Sequence, residues 1–191
     1  TYDCFKGANT SDYYNKFALF NGYCPKKGCD PSIINNLGAT PTYTPIMRYA
    51  EVLLSYLEAL NEAQPSAVDQ DILDLTINDI RDRVKLTKLE KANMSQELIR
   101  EAVRKERRVE LAFEGHRFWD LRRWGLASTV LNGTSMHGVK PIKVGDNEFT
   151  YEVVDIDGGK TRVWEERYAR FPIPLGEIEQ NEAVQQFDEW K

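Results

Sequence analysis

The run from Arg100 to Arg123 constrains this chain more than any other stretch, because more than half of its residues are charged. A segment so charged folds only where its apolar residues fall on one side. Leu98, Ala102, Val109 and Phe113 recur at helical spacing and read as that side of one long helix. Ser95 is placed to cap its start, with Glu97 in the first turn to complement the helix dipole. Its end is basic, Arg122-Arg123-Trp124, with Gly125 suited to the position just past the last turn. Gly115 inside the run predicts a kink or a close crossing.

Within this helix Glu106, Glu110 and Glu114 stand at i, i+4 and i+8, so three carboxylates share a face. Acid–base cleavage of a glycoside needs two carboxylates about 5 to 10 Å apart, a separation such spacing can supply. Arg107, Arg108, Arg117, Arg122 and Arg123 flank the row, however. A neighbouring guanidinium lowers a carboxyl pKa, whereas a general acid needs it raised. The run therefore reads as a structural ion-pair network of Glu106, Arg107, Glu110, Glu114, Arg117 and Asp120. Arg104-Lys105-Glu106-Arg107-Arg108 fails as a nucleic-acid patch, because glutamate interrupts it and the chain's net charge is −5. Phe113, Phe118, Trp119 and Trp124 stand near the helix end at spacings that read as core.

Upstream, Pro45 and Pro65 bracket a second helix, with Tyr49, Val52, Tyr56, Leu60 and Ala63 as its apolar stripe. Glu51, Ser55, Glu58 and Glu62 take another face. A further helix carries Val68, Ile72, Leu75, Ile80 and Val84, and the short link Gln64-Pro65-Ser66 predicts an αα-hairpin. Downstream, Phe149, Tyr151 and Val153 alternate with Thr150, Glu152 and Val154, and Asp157-Gly158-Gly159 predicts the turn of a hairpin closing on Lys160 to Trp164. Phe171-Pro-Ile-Pro-Leu175 must be extended, and a short polar helix is expected near Glu177 to Gln185. The expected fold class is mainly α, with one helix pair, one long charged helix and one small β-hairpin.

Residues 1–44 read differently: Tyr, Gly, Asn and Pro are dense and no helical period exceeds two turns. The chain opens Thr1-Tyr-Asp-Cys4 without Met, which predicts either a removed leader or a piece of a longer polypeptide. The expected organisation is an irregular segment over 1–44 and a regular region over 45–191. All three cysteines, Cys4, Cys24 and Cys29, fall in the irregular part. Cys24 and Cys29 would close a small disulfide loop in an oxidising compartment, or stand as free thiols. Tyr13, Tyr14, Tyr23 and Tyr43 are candidate sugar-stacking rings, with plugs for the irregular segment as the plainer reading. His116 and His137 lack ligand spacing, and Asp155-Ile-Asp157-Gly158 starts a calcium-loop pattern without completing it. No phosphate loop or nucleophile elbow occurs, so neither metal nor cofactor is expected.

Four strings then occur in a telling order. They are Pro45-Ile-Met-Arg-Tyr-Ala-Glu-Val-Leu-Leu54 with Glu58-Ala-Leu-Asn-Glu62; Ile80-Arg-Asp-Arg-Val84; the run from Arg104 to Gly125; and Pro172-Ile-Pro with Glu177-Ile and Asn181. Together they resemble the C-terminal part of the SusD/RagB family. That resemblance implies a helical fold with tetratricopeptide-like helix pairs, of which Pro45 to Leu86 is one. It implies a non-enzymatic surface lipoprotein of the Bacteroidetes outer membrane that binds glycans, or sometimes peptides. Such a protein serves a TonB-dependent, SusC-like transporter, with a lipid anchor and most of the aromatic binding arc upstream of the matched strings. Cys4 is not expected to be the lipidated residue. The alternative for this chain is a helical scaffold that only docks proteins, with a glycosidase using Glu110 and Glu114 a third.

Overall fold

The computed structural model describes Lys27, residues 45–146 and residues 148–191. Most of the segment expected to be irregular, with Cys4, Cys24, Cys29, Tyr13, Tyr14, Tyr23 and Tyr43, lies outside the described residues. The described part is mainly helical with one two-stranded antiparallel sheet, in agreement with the expected fold class. It divides into two compact units, within Lys27–Asp120 and Leu121–Lys191.

The first unit is built on α1 (Tyr49–Ala63), α2 (Gln70–Leu75), α3 (Ile77–Arg83) and α4 (Gln96–Glu110). Its core joins Leu53, Leu54 and Leu57 of α1 to Val68, Leu73, Ile77 and Ile80, and to Ile99 and Val103 of α4. Of the expected stripe on α1, only Leu60 packs against this core, and it is partly buried. Tyr49, Val52 and Tyr56 are exposed, and the buried face lies one residue round the helix. Both faces carry apolar residues at helical spacing, and only the position of the facing helices decides between them. The same correction applies to α4, where Leu98 and Val109 are exposed while Ile99, Val103, Glu106 and Arg107 are buried. A core containing Glu106 and Arg107 defeats a reading that looks for an unbroken apolar stripe.

The second helix of the expected hairpin is two. Thr76 separates α2 from α3 with φ −118° and ψ −98°, and its hydroxyl donates to the Ile72 carbonyl at 2.5 Å, capturing a backbone acceptor. After α3 the chain turns at Lys85, which has φ +59°. There Leu86 N–H donates to Arg81 O at 2.9 Å and Lys85 N–H to Asp82 O at 3.0 Å, a Schellman closure made without glycine. Asn78 then pins the following loop like a strand partner, accepting from Leu89 N–H at 2.7 Å and donating to Leu89 O at 3.0 Å.

The long charged helix is also two. Ser95 caps α4 as expected, accepting from Leu98 N–H. The helix then ends at Glu110, and α5 (His116–Arg123) begins only after Phe113 and Gly115 adopt φ +65° and +84°. Gly115 thus marks a full break rather than a kink. Gly125, at φ +68°, closes α5 with Leu126 N–H on Leu121 O at 2.8 Å and Gly125 N–H on Arg122 O at 3.0 Å. Of the aromatics expected as core, Phe113 is 80% exposed, Phe118 and Trp119 are also exposed, packed edge-to-face on each other, and Trp124 is half-buried.

The second unit contains α6 (Ala127–Leu131), β1 (His137–Gly145), β2 (Glu148–Asp155) and α7 (Leu175–Gln180). The hairpin exists with a different partner: β2 pairs back onto β1, from His137↔Asp155 to Gly145↔Glu148, with a bulge near Lys143. The Asp157–Gly159 turn, with both glycines at positive φ, does not reverse the chain as a hairpin turn would: Ile156 N–H donates to Met136 O before it and Arg162 N–H to Thr134 O after it, so the chain keeps the direction of β2. Beyond it Thr161 forms only a single bridge with Ser135. The polar residues of β1 hid a strand whose faces are both largely exposed. Of the segment expected to be extended, residues 171–174 form neither helix nor strand, with Pro174 at φ −55° and ψ 137°, while Leu175 already opens α7; the Gln186 amide bonds both Ile173 N–H, at 3.0 Å, and Ile173 O, at 2.9 Å. The expected polar helix is present as α7, beginning two residues earlier and ending by Asn181.

Leu54→Ala or Ile99→Ala should cost about 2 to 5 kcal/mol by urea denaturation. Tyr56→Ala should stay within about 0.5 kcal/mol, the reverse of what the sequence stripe predicts.

Candidate functional site

The charged residues of the first unit gather around the start of α1. Arg48, in extended conformation just before that helix, directs its guanidinium to the end of α4. Its Nε and Nη2 donate to the two carboxyl oxygens of Glu114, each at 2.8 Å, a side-on bidentate pair. Nη1 donates to Glu110 Oε1 at 2.9 Å, and Nη2 also to the Glu110 carbonyl at 2.9 Å. Lys27 Nζ adds bonds to Glu110 O at 2.7 Å and Ala112 O at 2.9 Å, and pairs closely with Glu114. Two cations thus satisfy carbonyls left open where α4 stops, at the negative end of its dipole.

Two further links complete the frame. Arg81 donates from Nη1 to Glu106 Oε2 at 2.9 Å and from Nε to Thr87 O at 2.7 Å, joining α3, its loop and α4. Arg107, buried, donates to both oxygens of buried Asp120 at 3.0 and 3.1 Å, and to Ser55 Oγ at 3.0 Å. The carboxylates that the sequence aligned as Glu106, Glu110 and Glu114 therefore do meet cations. Those partners are Arg48, Arg81, Arg83 and Lys27, from other elements, and not the arginines that flank them in the run. Arg117 is different: burial chiefly, then the Arg108 charge, lower its pKa, against the opposing pull of Asp120.

The electrostatics follow from this geometry. The Arg48 hydrogen bond, helped by Lys27, holds the Glu114 carboxyl at about 2, against the effect of its burial. Arg48 is correspondingly pushed up, first by its bond to Glu114. Glu114 is thus an anion across the physiological range and no proton donor.

The second unit holds one arrangement that the sequence did not disclose. Ser135 Oγ lies 3.1 Å from His137 Nε2, and His137 Nδ1 lies 2.9 Å from Asp155 Oδ1, the connectivity of a hydrolase triad. It arises from the β1–β2 register, which the expected hairpin partner would have prevented. The His137 and Asp155 side chains are both more than half exposed, so water competes for every bond a reaction would need. Arg167 lies over Tyr168 and Trp190, and Arg170 over Phe187, a surface of stacked cations and rings. Among the described residues no His, Cys, Asp and Glu group is placed to hold a metal, and no helix is long and apolar enough to cross a membrane.

The described residues thus form a helical frame locked by arginine–carboxylate pairs, and a small exposed sheet. The family profile for SusD matches residues 2–190, and the chain belongs to that family. The SusD-like protein P2 of Formosa agariphila is 37% identical over 102 residues, half of this chain and 19% of that one. A crystallised SusD-like protein of Bacteroides fragilis is 34% identical with a TM-score of 0.59, over 74% of this chain and 25% of the other. A SusD-like carbohydrate-binding protein of the same organism is 36% identical with a TM-score of 0.55, over 74% of this chain and 28% of its own. The chain thus spans only 19 to 28% of the length of these relatives.

Because the Glu114 pKa is lowered on folding, the pair stabilises fully above the ordinary glutamate range. It fades as pH falls from about 4.5 toward about 2. Arg48→Ala should cost about 3 kcal/mol at pH 7 by chemical denaturation, with the penalty shrinking across that acid window.

Proposed function

We propose that this chain is part of a SusD-like nutrient-binding protein that holds an oligosaccharide without cleaving it and passes it to a TonB-dependent outer-membrane transporter of the SusC type. The observation that carries the reading is the family match over residues 2–190, joined by likeness to a carbohydrate-binding member. On this reading the protein sits at the outer surface of the cell as a lipoprotein, and nucleic acid is no partner. Glycan contact rests on aromatic faces stacking against sugar rings while polar groups fix their orientation. Tyr13, Tyr14, Tyr23 and Tyr43 are the loop rings proposed for that role.

The state of the acidic residues supports binding over hydrolysis. A retaining or inverting glycosidase needs one carboxyl that keeps a proton near neutrality. Glu110 has each carboxyl oxygen on an arginine, and Glu114 is held at about 2. Glu114 therefore holds no proton for a leaving group, and both Glu110 oxygens are taken up by guanidinium donors.

Calorimetric titration of the protein against a panel of oligosaccharides, with the same mixtures assayed for new reducing ends, tests the reading. Saturable binding without release of reducing ends is expected. Turnover abolished by Glu110→Gln with the fold intact would establish the glycosidase instead. A folded protein that binds no glycan would leave the docking scaffold.

A further inference from the structure

The first unit contains a cleft of about 640 Å³ between the start of α1 and α3. That volume lies in the range of about 300 to 1,000 Å³ that small-molecule sites occupy. Leu53 and Ile80 of the core contribute its apolar lining, and Arg48, Arg83, Asp79, Asp82 and Glu110 its polar lining. Tyr49 also lines it, 71% exposed. The arginines are already committed: Glu110 takes Arg48 at 2.9 Å and Arg83 at 2.6 Å. Asp79 and Asp82 are not, for neither carboxylate has a partner among the described residues. The Tyr49 ring likewise makes no ring contact among the described residues.

We infer that this cleft is a glycan subsite for a neutral or amino-sugar unit, with Tyr49 as the stacking face and Asp79 and Asp82 as acceptors for sugar hydroxyl or ammonium groups. The inference rests on the proposed glycan-binding function and adds a place and a charge preference to it. An aromatic face beside unpaired carboxylates matches the two surfaces of a pyranose: C–H groups stack on the ring, and hydroxyl groups need fixed acceptors. The charge preference follows from the lining. Three carboxylates stand against two guanidinium groups, and both guanidinium groups are spent on Glu110 and Glu114. A uronate or sulfated sugar would face Asp79 and Asp82 with no uncommitted cation among the described residues that line the cleft. The elements are also rigid: Arg48, fixed by four hydrogen bonds, directly precedes Tyr49.

The test uses calorimetric titration with neutral gluco-oligosaccharides, chitosan oligosaccharides and oligogalacturonate, on the wild type, Tyr49→Ala, the double variant Asp79→Asn/Asp82→Asn, and Tyr13→Ala/Tyr14→Ala. Because Tyr49, Asp79 and Asp82 are exposed, their variants should melt like the wild type. Neutral or amino-sugar binding about tenfold weaker in Tyr49→Ala, with loss of any chitosan preference in the double Asn variant, is the expected result. Oligogalacturonate bound as tightly as the neutral chains would overturn the inference. So would binding lost only in Tyr13→Ala/Tyr14→Ala, which would leave the glycan-binding function standing with its site elsewhere. No binding of any glycan by folded protein would overturn both.

Discussion

The first unit depends on one side chain, the Arg48 guanidinium. A helix that ends at Glu110 exposes carbonyls, and a chain break beside it places two carboxylates, Glu110 and Glu114, close together. Left alone, those groups would repel one another and pay for lost hydration. Arg48 answers both problems at once, with three bonds to the carboxylates and one to the Glu110 carbonyl. It thereby fixes where α1 starts relative to where α4 stops. The apolar contacts of Leu53, Leu54 and Leu57 with Ile99 and Val103 are built on that alignment.

Seen this way, the separate family strings are parts of one contact. Arg48 lies in the first, Arg81 and Arg83 in the second, and Glu106, Glu110 and Glu114 in the third. In space the arginines of the first two close on the glutamates of the third. Their residue types follow from burial: a partly buried carboxylate needs a planar, bidentate and permanently charged partner, which arginine supplies and lysine does not. The strings are thus legible as scaffold for a physical reason. Their arginines and glutamates hold the frame.

The sequence made the helices legible but not their faces. On α1 two apolar stripes compete, Tyr49–Val52–Tyr56 and Leu53–Leu54–Leu57, and periodicity weighs them alike. The structure buries the aliphatic one and exposes the tyrosines, a choice made by α4 and α3, which a local window does not contain. On α4 the buried face includes Glu106 and Arg107, so polarity misdirected the reading where the ion pairs are long-range. The breaks at Thr76 and at Phe113–Gly115 escaped for a similar reason. A threonine or phenylalanine does not announce a break, and only Gly115 gave a signal. The partner of β2 was misread because β1, His137–Gly145, carries lysines, glycines and a proline on faces that are mostly exposed.

The same misreading bears on where binding can occur. Had Tyr49 been buried, it would be one more core ring, and the cleft beside it would be filled. Because the aliphatic face supplies the core, the helix can present an aromatic outward at its first residue at little cost in stability. Its neighbour Arg48 is meanwhile locked by Glu110 and by Glu114, whose carboxyl stays ionised far below neutral pH. A ring on so fixed a backbone loses little freedom when a ligand stacks on it, and that loss is a main term opposing weak, reversible capture. The arginine pairs thus hold the backbone that presents Tyr49, while Asp79 and Asp82 beside it have no partner among the described residues, so a fixed ring and open acceptors meet at the start of α1.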